Sequence, residues 1–220
     1  HLGRVPLREP DTRVRFELGV GVLPGDLLVV DGEVTQVVMT QGRPSFHAVL
    51  DDLNDLASGL GLTHEAILDT GLPVQVVSTG VPQMMVPVRS LAEVQRLNAG
   101  ALNTTALNRA CRATQTDCVM VFTFETERLE STVHVRMFAP MLGVREDPAT
   151  GCANGALGAY LVHHAAVPLT EPTVSILSEQ GAELNRPSTL KVEVDHADGA
   201  PTEVRVGGQV TPIIEGVIRF

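Results

Sequence analysis

The 220-residue chain is predicted to fold as an α+β protein in which short antiparallel strands wrap an enclosed helix. Three observations predict it. β-rich runs recur along most of the chain and are separated by turn residues. The segment from Cys152 to His164 carries alanine, glycine, leucine and tyrosine on nearly every side, so protein must surround it. Helical spacing is otherwise confined to stretches near 50–68 and 90–107.

From Arg13 to Thr40, apolar Val14, Phe16 and Leu18 alternate with polar residues, and two β-rich runs flank Asp31-Gly32. That pair marks a two-residue hairpin, because both turn positions need positive φ, and three antiparallel strands are expected here. Residues 50–60 and 63–68 turn helical, with Thr63 as N-cap and Glu65 in the first turn. Strands at 74–77 and 84–88 begin a second sheet, joined by the loop Ser78-Thr79-Gly80-Val81-Pro82. Ser90 with Glu93 three residues on forms a capping-box pattern, so a helix or helices are expected over 90–107, before strands at 119–124 and 133–138. After the enclosed helix, residues 174–177, 190–194, 204–206 and 210–213 return to strand. Gly155 and Gly158 weaken the enclosed helix by about 1 kcal/mol each relative to alanine, which predicts close approach of a strand or ligand at both.

Composition excludes several function classes. A net charge of -10 with only 16 Lys+Arg, spread along the chain, argues against nucleic-acid binding. The apolar stretches fall far short of the roughly 20 residues that span a bilayer. Mean hydropathy of +0.15 without charge blocks describes a folded chain. Cys111, Cys118 and Cys152 are an odd number without CxxC spacing, so neither a disulfide framework nor a structural zinc site is expected, and a reducing cytoplasm fits.

The chemistry concentrates at Asp147-Pro148-Ala149-Thr150-Gly151-Cys152, which opens the enclosed helix. With Thr150 or Gly151 as cap, the amides of Gly151, Cys152 and Ala153 are free to meet an anion, and a substrate carboxylate is the natural candidate. The same helix end is expected to lower the Cys152 pKa. Asp147, held by Pro148, supplies a carboxylate for hydrogen bonding or proton transfer. The plainer alternative is a tight turn capped by Asp147, with Cys152 a small buried hydrophobe.

The string from Arg145 to Gly155, REDPATGCANG, resembles the signature of the PhzF family, the phenazine-biosynthesis-like isomerases. Ser78-Thr79-Gly80-Val81-Pro82, Arg136-Met137-Phe138-Ala139-Pro140, Gln180-Gly181 with Arg186-Pro187-Ser188, and Val206-Gly207-Gly208 extend the likeness over most of the chain. The resemblance implies a diaminopimelate-epimerase-like fold: two pseudo-symmetric barrel-like sheets, each around a central helix, with the site between the helix starts. The implied division is 1–72 for the first half, 73–205 for the second with its helix over 152–164, and 206–220 returning to the first.

It also implies an isomerase without metal or organic cofactor, moving a proton on a small carboxylate-bearing metabolite. Asp147 and Cys152 would be catalytic, and Thr150, Gly151, Ala153, Ser78, Thr79 and Gly80 would bind substrate. Cys152 stands where the family commonly has serine, so it is either a base or an isostere. The family's first-half glutamate and Gly-His segment have no counterpart here, and His1 to Arg4 resembles the end of the first central helix. The first half is therefore expected to be incomplete, with an exposed sheet edge and apolar surface covered by a separate N-terminal segment or a second copy in a homodimer. The alternative function is a non-catalytic binding or assembly module that keeps one side of the site.

Other candidates read as structural. His163-His164 falls at the helix end and His134 is expected to face outward from its strand. Arg136 shares the face of His134 and suggests an ion pair or a substrate carboxylate. His47 and His64 are expected in loops, and Cys111 and Cys118 in the core.

Overall fold

The computed structural model describes residues 5–19, 21–211 and 214–217. The chain opens with β1 (Asp11–Leu18), β2 (Gly21–Val30) and β3 (Glu33–Thr40), paired antiparallel in sequence order. Asp31 and Gly32 take φ of 51° and 76°, as the hairpin turn requires. A further strand, β4 (Ser45–Val49), precedes α1 (Asn54–Leu60) and α2 (His64–Leu68). The Thr63 hydroxyl caps α2 by accepting from the Ala66 amide at 3.3 Å.

After β5 (Gln75–Ser78) and β6 (Pro82–Pro87), Ser90 caps α3 (Leu91–Gln95). The helical stretch expected over 90–107 forms as two helices. Asn98 turns the chain by accepting from Gly100 N at 2.9 Å, and Asn103 caps a new helix, α4 (Thr104–Thr114), that runs past Leu107. There follow β7 (Val119–Thr123), β8 (Val133–Ala139), β9 (Val144–Asp147), α5 (Gly151–His163), β10 (Thr173–Gln180), β11 (Ser188–Ala197) and β12 (Ala200–Gly208). Of the strand expected at 210–213, Val210 and Thr211 lie outside any strand, and residues 212 and 213 fall outside the described residues, as do residues 1–4.

One hydrogen-bonded path, β1-β2-β3-β12-β11-β10-β8-β7-β6-β5-β4, joins the strands, with β9 on β8. Pairing is antiparallel except at β6–β7 and β8–β10. The strands from β12 to β5 curl around α5, which packs on β11 and β12 at one side and on β5 and β6 at the other. β6 and β7 are buried on both faces and read as nearly continuous apolar runs, whereas β11 and β12 alternate buried with more exposed positions. Val77, Met85, Met120, Phe122, Val135 and Ile176 point inward to Leu157, Tyr160 and Leu161 of α5. Val76, Met84, Val86, Val119 and Val121 point outward, under α1 to α4.

Gly155 and Gly158 of α5 both lie against close neighbours. A Cβ on Gly158 would lie 2.6 Å from Val192 Cγ1 and 3.0 Å from Val194 Cγ2, while one on Gly155 would meet Gln41, Thr79 and Val206 at 3.1 to 3.2 Å. Close packing of strands against the helix accounts for both. Gly158→Ala should therefore destabilise the fold by about 1–2 kcal/mol in urea unfolding, because overpacking against stiff valines exceeds the helix-propensity gain. An alanine variant as stable as the wild type would show that the contact is slack.

Candidate active site

The start of α5 is built by three segments. β9 ends at Asp147, Pro148 and Ala149 make the turn, and Thr150 occupies the N-cap position in extended conformation. The Thr150 hydroxyl does not cap the helix. It donates instead to Asp147 Oδ2 at 2.5 Å, which fixes the carboxylate beside the helix start. The first helical hydrogen bond is Asn154 N to Thr150 O at 3.0 Å, so the amides of Gly151, Cys152 and Ala153 precede the ladder. Asn154 adds a buried side-chain oxygen, Oδ1, without a partner among the described residues.

In the sequence Gln180, at the end of β10, belongs only to the family likeness, with no local signal for a place at this site. The structure puts its side chain between the Asp147 turn and the helix: Oε1 accepts from Thr150 N at 3.1 Å, and Nε2 donates to Asp147 O at 2.6 Å.

Cys152 is half-buried at this point, and its thiol pKa lies above the ordinary value. Burial is the largest cause; hydrogen bonding from the Ala153 and Cys152 amides opposes it, and the Asp147 carboxylate adds to it. This corrects the expectation of a lowered pKa, since desolvation of the thiolate outweighs the helix end. The thiol therefore holds its proton more tightly than a free cysteine.

The 78–82 loop closes the other flank. Thr79 Oγ1 donates to Cys152 O at 3.2 Å, while the Ser78 hydroxyl accepts from Gly80 N at 3.1 Å and so satisfies its own turn. Gly42 N donates to Thr79 O at 2.9 Å, and a Cβ there would lie 2.6 Å from the same oxygen, so the chain leaving β3 passes directly over the loop. Asp147, Thr150, Gly151, Cys152, Ala153 and Thr79 are thus brought together, with Ser78 and Gly80 in the adjoining turn.

The phenazine biosynthesis-like protein family, PhzC-PhzF, matches residues 4–216. The chain belongs to this family. An uncharacterized isomerase of Clostridium acetobutylicum is 31% identical over 206 residues, covering 93% of this chain and 67% of that protein. An uncharacterized isomerase of Escherichia coli K12 is 32% identical over 175 residues, 79% of this chain and 57% of that protein. The trans-2,3-dihydro-3-hydroxyanthranilate isomerase of Pseudomonas chlororaphis is 27% identical over 206 residues, 94% of this chain and 67% of that protein.

Among solved structures, a PhzF-family phenazine biosynthesis protein of Bacillus anthracis superposes with a TM-score of 0.76 at 25% identity, over 90% of this chain and 65% of that one. A hydroxyproline epimerase of Agrobacterium vitis shares the fold, with a TM-score of 0.62 at 16% identity, over 94% of this chain and 59% of that one. The chain spans 57–67% of the length of these three curated relatives.

Behind the site lies a buried ionic layer. Contrary to the outward position expected of it, His134 is fully buried. Its Nδ1 faces Glu179 and its Nε2 faces Glu183, each at 2.9 Å. Two carboxylate partners require both ring nitrogens to donate, which makes an imidazolium. Arg136 grips Glu146 through two 2.7 Å bonds and donates to the carbonyls of Val94 and Leu97, so its role is the structural ion pair rather than a substrate contact.

His47 lies in β4 and His64 opens α2, rather than in loops. His163 stacks on Phe46 and His164 donates to Gln75, while Cys111 and Cys118 are core. Among the described residues no three His, Cys, Asp or Glu gather as a metal group, and no helix is long and apolar enough to cross a membrane.

Burial alone would lower the His134 pKa, but the hydrogen bonds it donates to Glu183 and Glu179 outweigh it and the net shift is upward. The stability it contributes is therefore full below the unfolded-state pKa and lost as pH rises through the folded value. The stability gap between wild type and His134→Gln, measured by urea unfolding, should narrow from about pH 6 to about pH 9. A gap that widens over that range would contradict the imidazolium.

Proposed function

We propose that this chain carries one side of the active site of a cofactor-independent isomerase, which moves a proton on a small carboxylate-bearing metabolite. The observation that carries the reading is the start of α5, where three amides at a positive helix end adjoin the Asp147 carboxylate and the Cys152 thiol. The amides of Gly151, Cys152 and Ala153 would hold the substrate carboxylate. Thr150 would orient Asp147, and Ser78, Thr79 and Gly80 would line the cleft. The thiol, kept protonated by burial, suits donation, with Asp147 accepting. Relatives named isomerases support the reaction class.

In this reading residues 1–72 form part of a first half, 73–205 the second, and 206–220 return to the first. The antiparallel pairing of Gly207 and Gly208 with Val38 and Val37 supports the return. Val14, Phe16, Leu23, Leu27, Val37 and Met39 share one face of β1–β3, continuous through Val206 with the face that α5 covers. Phe16 is 42% exposed there, while the opposite face carries the Arg13–Asp26 ion pair. Another segment of the whole protein, or a second copy of this chain, covers that apolar face. Free cysteines at all three positions suit a reducing, cytoplasmic setting.

The amide cradle can be tested on this chain directly. Iodoacetate carries a carboxylate and iodoacetamide does not, while Cys111 and Cys118 are buried and stay unmodified. The iodoacetate-to-iodoacetamide rate ratio at Cys152, normalised to glutathione, should rise by up to about tenfold, the equivalent of roughly 1.4 kcal/mol. An unchanged or lower ratio would contradict carboxylate binding there. In the assembled two-sided protein, Asp147→Ala should reduce turnover by about 100-fold or more, read as deuterium uptake from D2O into trans-2,3-dihydro-3-hydroxyanthranilate. Unimpaired uptake would remove Asp147 from the reaction. Sedimentation of the isolated chain should show self-association, and a monodisperse monomer would count against a second copy on the bare face.

A further inference from the structure

Gln180 is 2% exposed, and all four hydrogen bonds of its carboxamide go to the Asp147 turn or the first turn of α5. Oε1 accepts from Thr150 N at 3.1 Å and Asn154 Nδ2 at 2.9 Å. Nε2 donates to Asp147 O at 2.6 Å and to Thr150 Oγ1 at 3.1 Å. The neighbours dictate this orientation. A backbone amide only donates and a carbonyl only accepts, so a reversed carboxamide would set like against like at Thr150 N and at Asp147 O.

The orientation sets the direction of the next bond. With Nε2 donating into Thr150 Oγ1, the hydroxyl proton is left for Asp147 Oδ2, 2.5 Å away. The relay therefore runs one way, from carboxamide to hydroxyl to carboxylate. Gly181 locks its origin: it has φ of 86°, and a Cβ there would lie 2.6 Å from Pro148 O, so the end of β10 and the turn are in backbone contact.

We infer that Gln180 is a positioning residue that acts through Thr150 to hold the Asp147 carboxylate beside Cys152. The inference rests on Asp147 belonging to the site. Its test uses the chain itself and no substrate, so its failure is separable from failure of the proposed reaction.

Alkylation of Cys152 by iodoacetamide, followed by intact mass, reports the thiolate fraction, which a nearby carboxylate depresses. Asp147→Asn should speed alkylation at fixed pH by about fivefold. Gln180→Leu and Thr150→Val, by releasing the carboxylate, should each give about two- to fivefold. In the Asp147→Asn background either change should add less than about 1.5-fold, because no carboxylate remains to be released.

No acceleration by Gln180→Leu would overturn the inference. So would an equal factor in both Asp147 backgrounds, which would mark general loosening, or a Gln180→Leu effect that persists undiminished beside Thr150→Val. If Gln180→Leu fails to fold, seen as reaction of Cys111 and Cys118, the Thr150→Val and Asp147→Asn cycle decides. Equal factors there overturn the relay in the same way.

Discussion

A helix made mostly of alanine, glycine, leucine and valine, with apolar residues on every side, has no face to give to water, so it holds only where protein closes over it. In this chain α5 is that helix, and buried residues run without a break from Ala153 to Val162. The curl of the sheet from β12 to β5 follows from it. So do the valines of β11, β12 and β5 on its flanks, and the glycine at 158 that lets Val192 approach. Helix propensity alone would not sustain so glycine-rich a segment; burial of its whole circumference does.

Enclosure also shapes the electrostatics. The amides at the start of a buried helix meet little water, which strengthens their field on an anion and at the same time raises the cost of a thiolate. Burial wins at Cys152, and the thiol keeps its proton. Strand alternation then sorts the charges. On β9, Glu146 turns to the outer ion pair with Arg136 while Asp147 turns to the helix start. On β10, Glu179 turns to His134 while Gln180 turns to the same helix start. The charged layer outside anchors the strands whose next residues form the site.

Local signals carried much of this into the sequence. Asp31-Gly32, Thr63 and Ser90 each fix a turn or cap through chemistry within four residues, and all three are found as read. The enclosed helix was legible because apolar residues fall on every side of it. What could not be read depends on distant partners. Alternation around His134 looked like an exposed strand face, but its carboxylate partners lie 45 and 49 residues away. The Asn98 turn that divides α3 from α4 hides inside a helical pattern, and Ser45–Val49, five residues directly after Pro44, shows itself as a strand only in its pairing with β5. Asp147 was picked out by its turn, whereas the four bonds of Gln180 exist only once β10 lies against that turn.

The most direct measurement of the central claim is a titration of the labelled chain with acetate, followed by amide proton and nitrogen shifts. Saturable changes are expected, largest at Gly151, Cys152 and Ala153, with Cys111 and the rest of the core unmoved. Changes that are absent there, or that are largest at surface arginines, would contradict a carboxylate cradle at the start of α5.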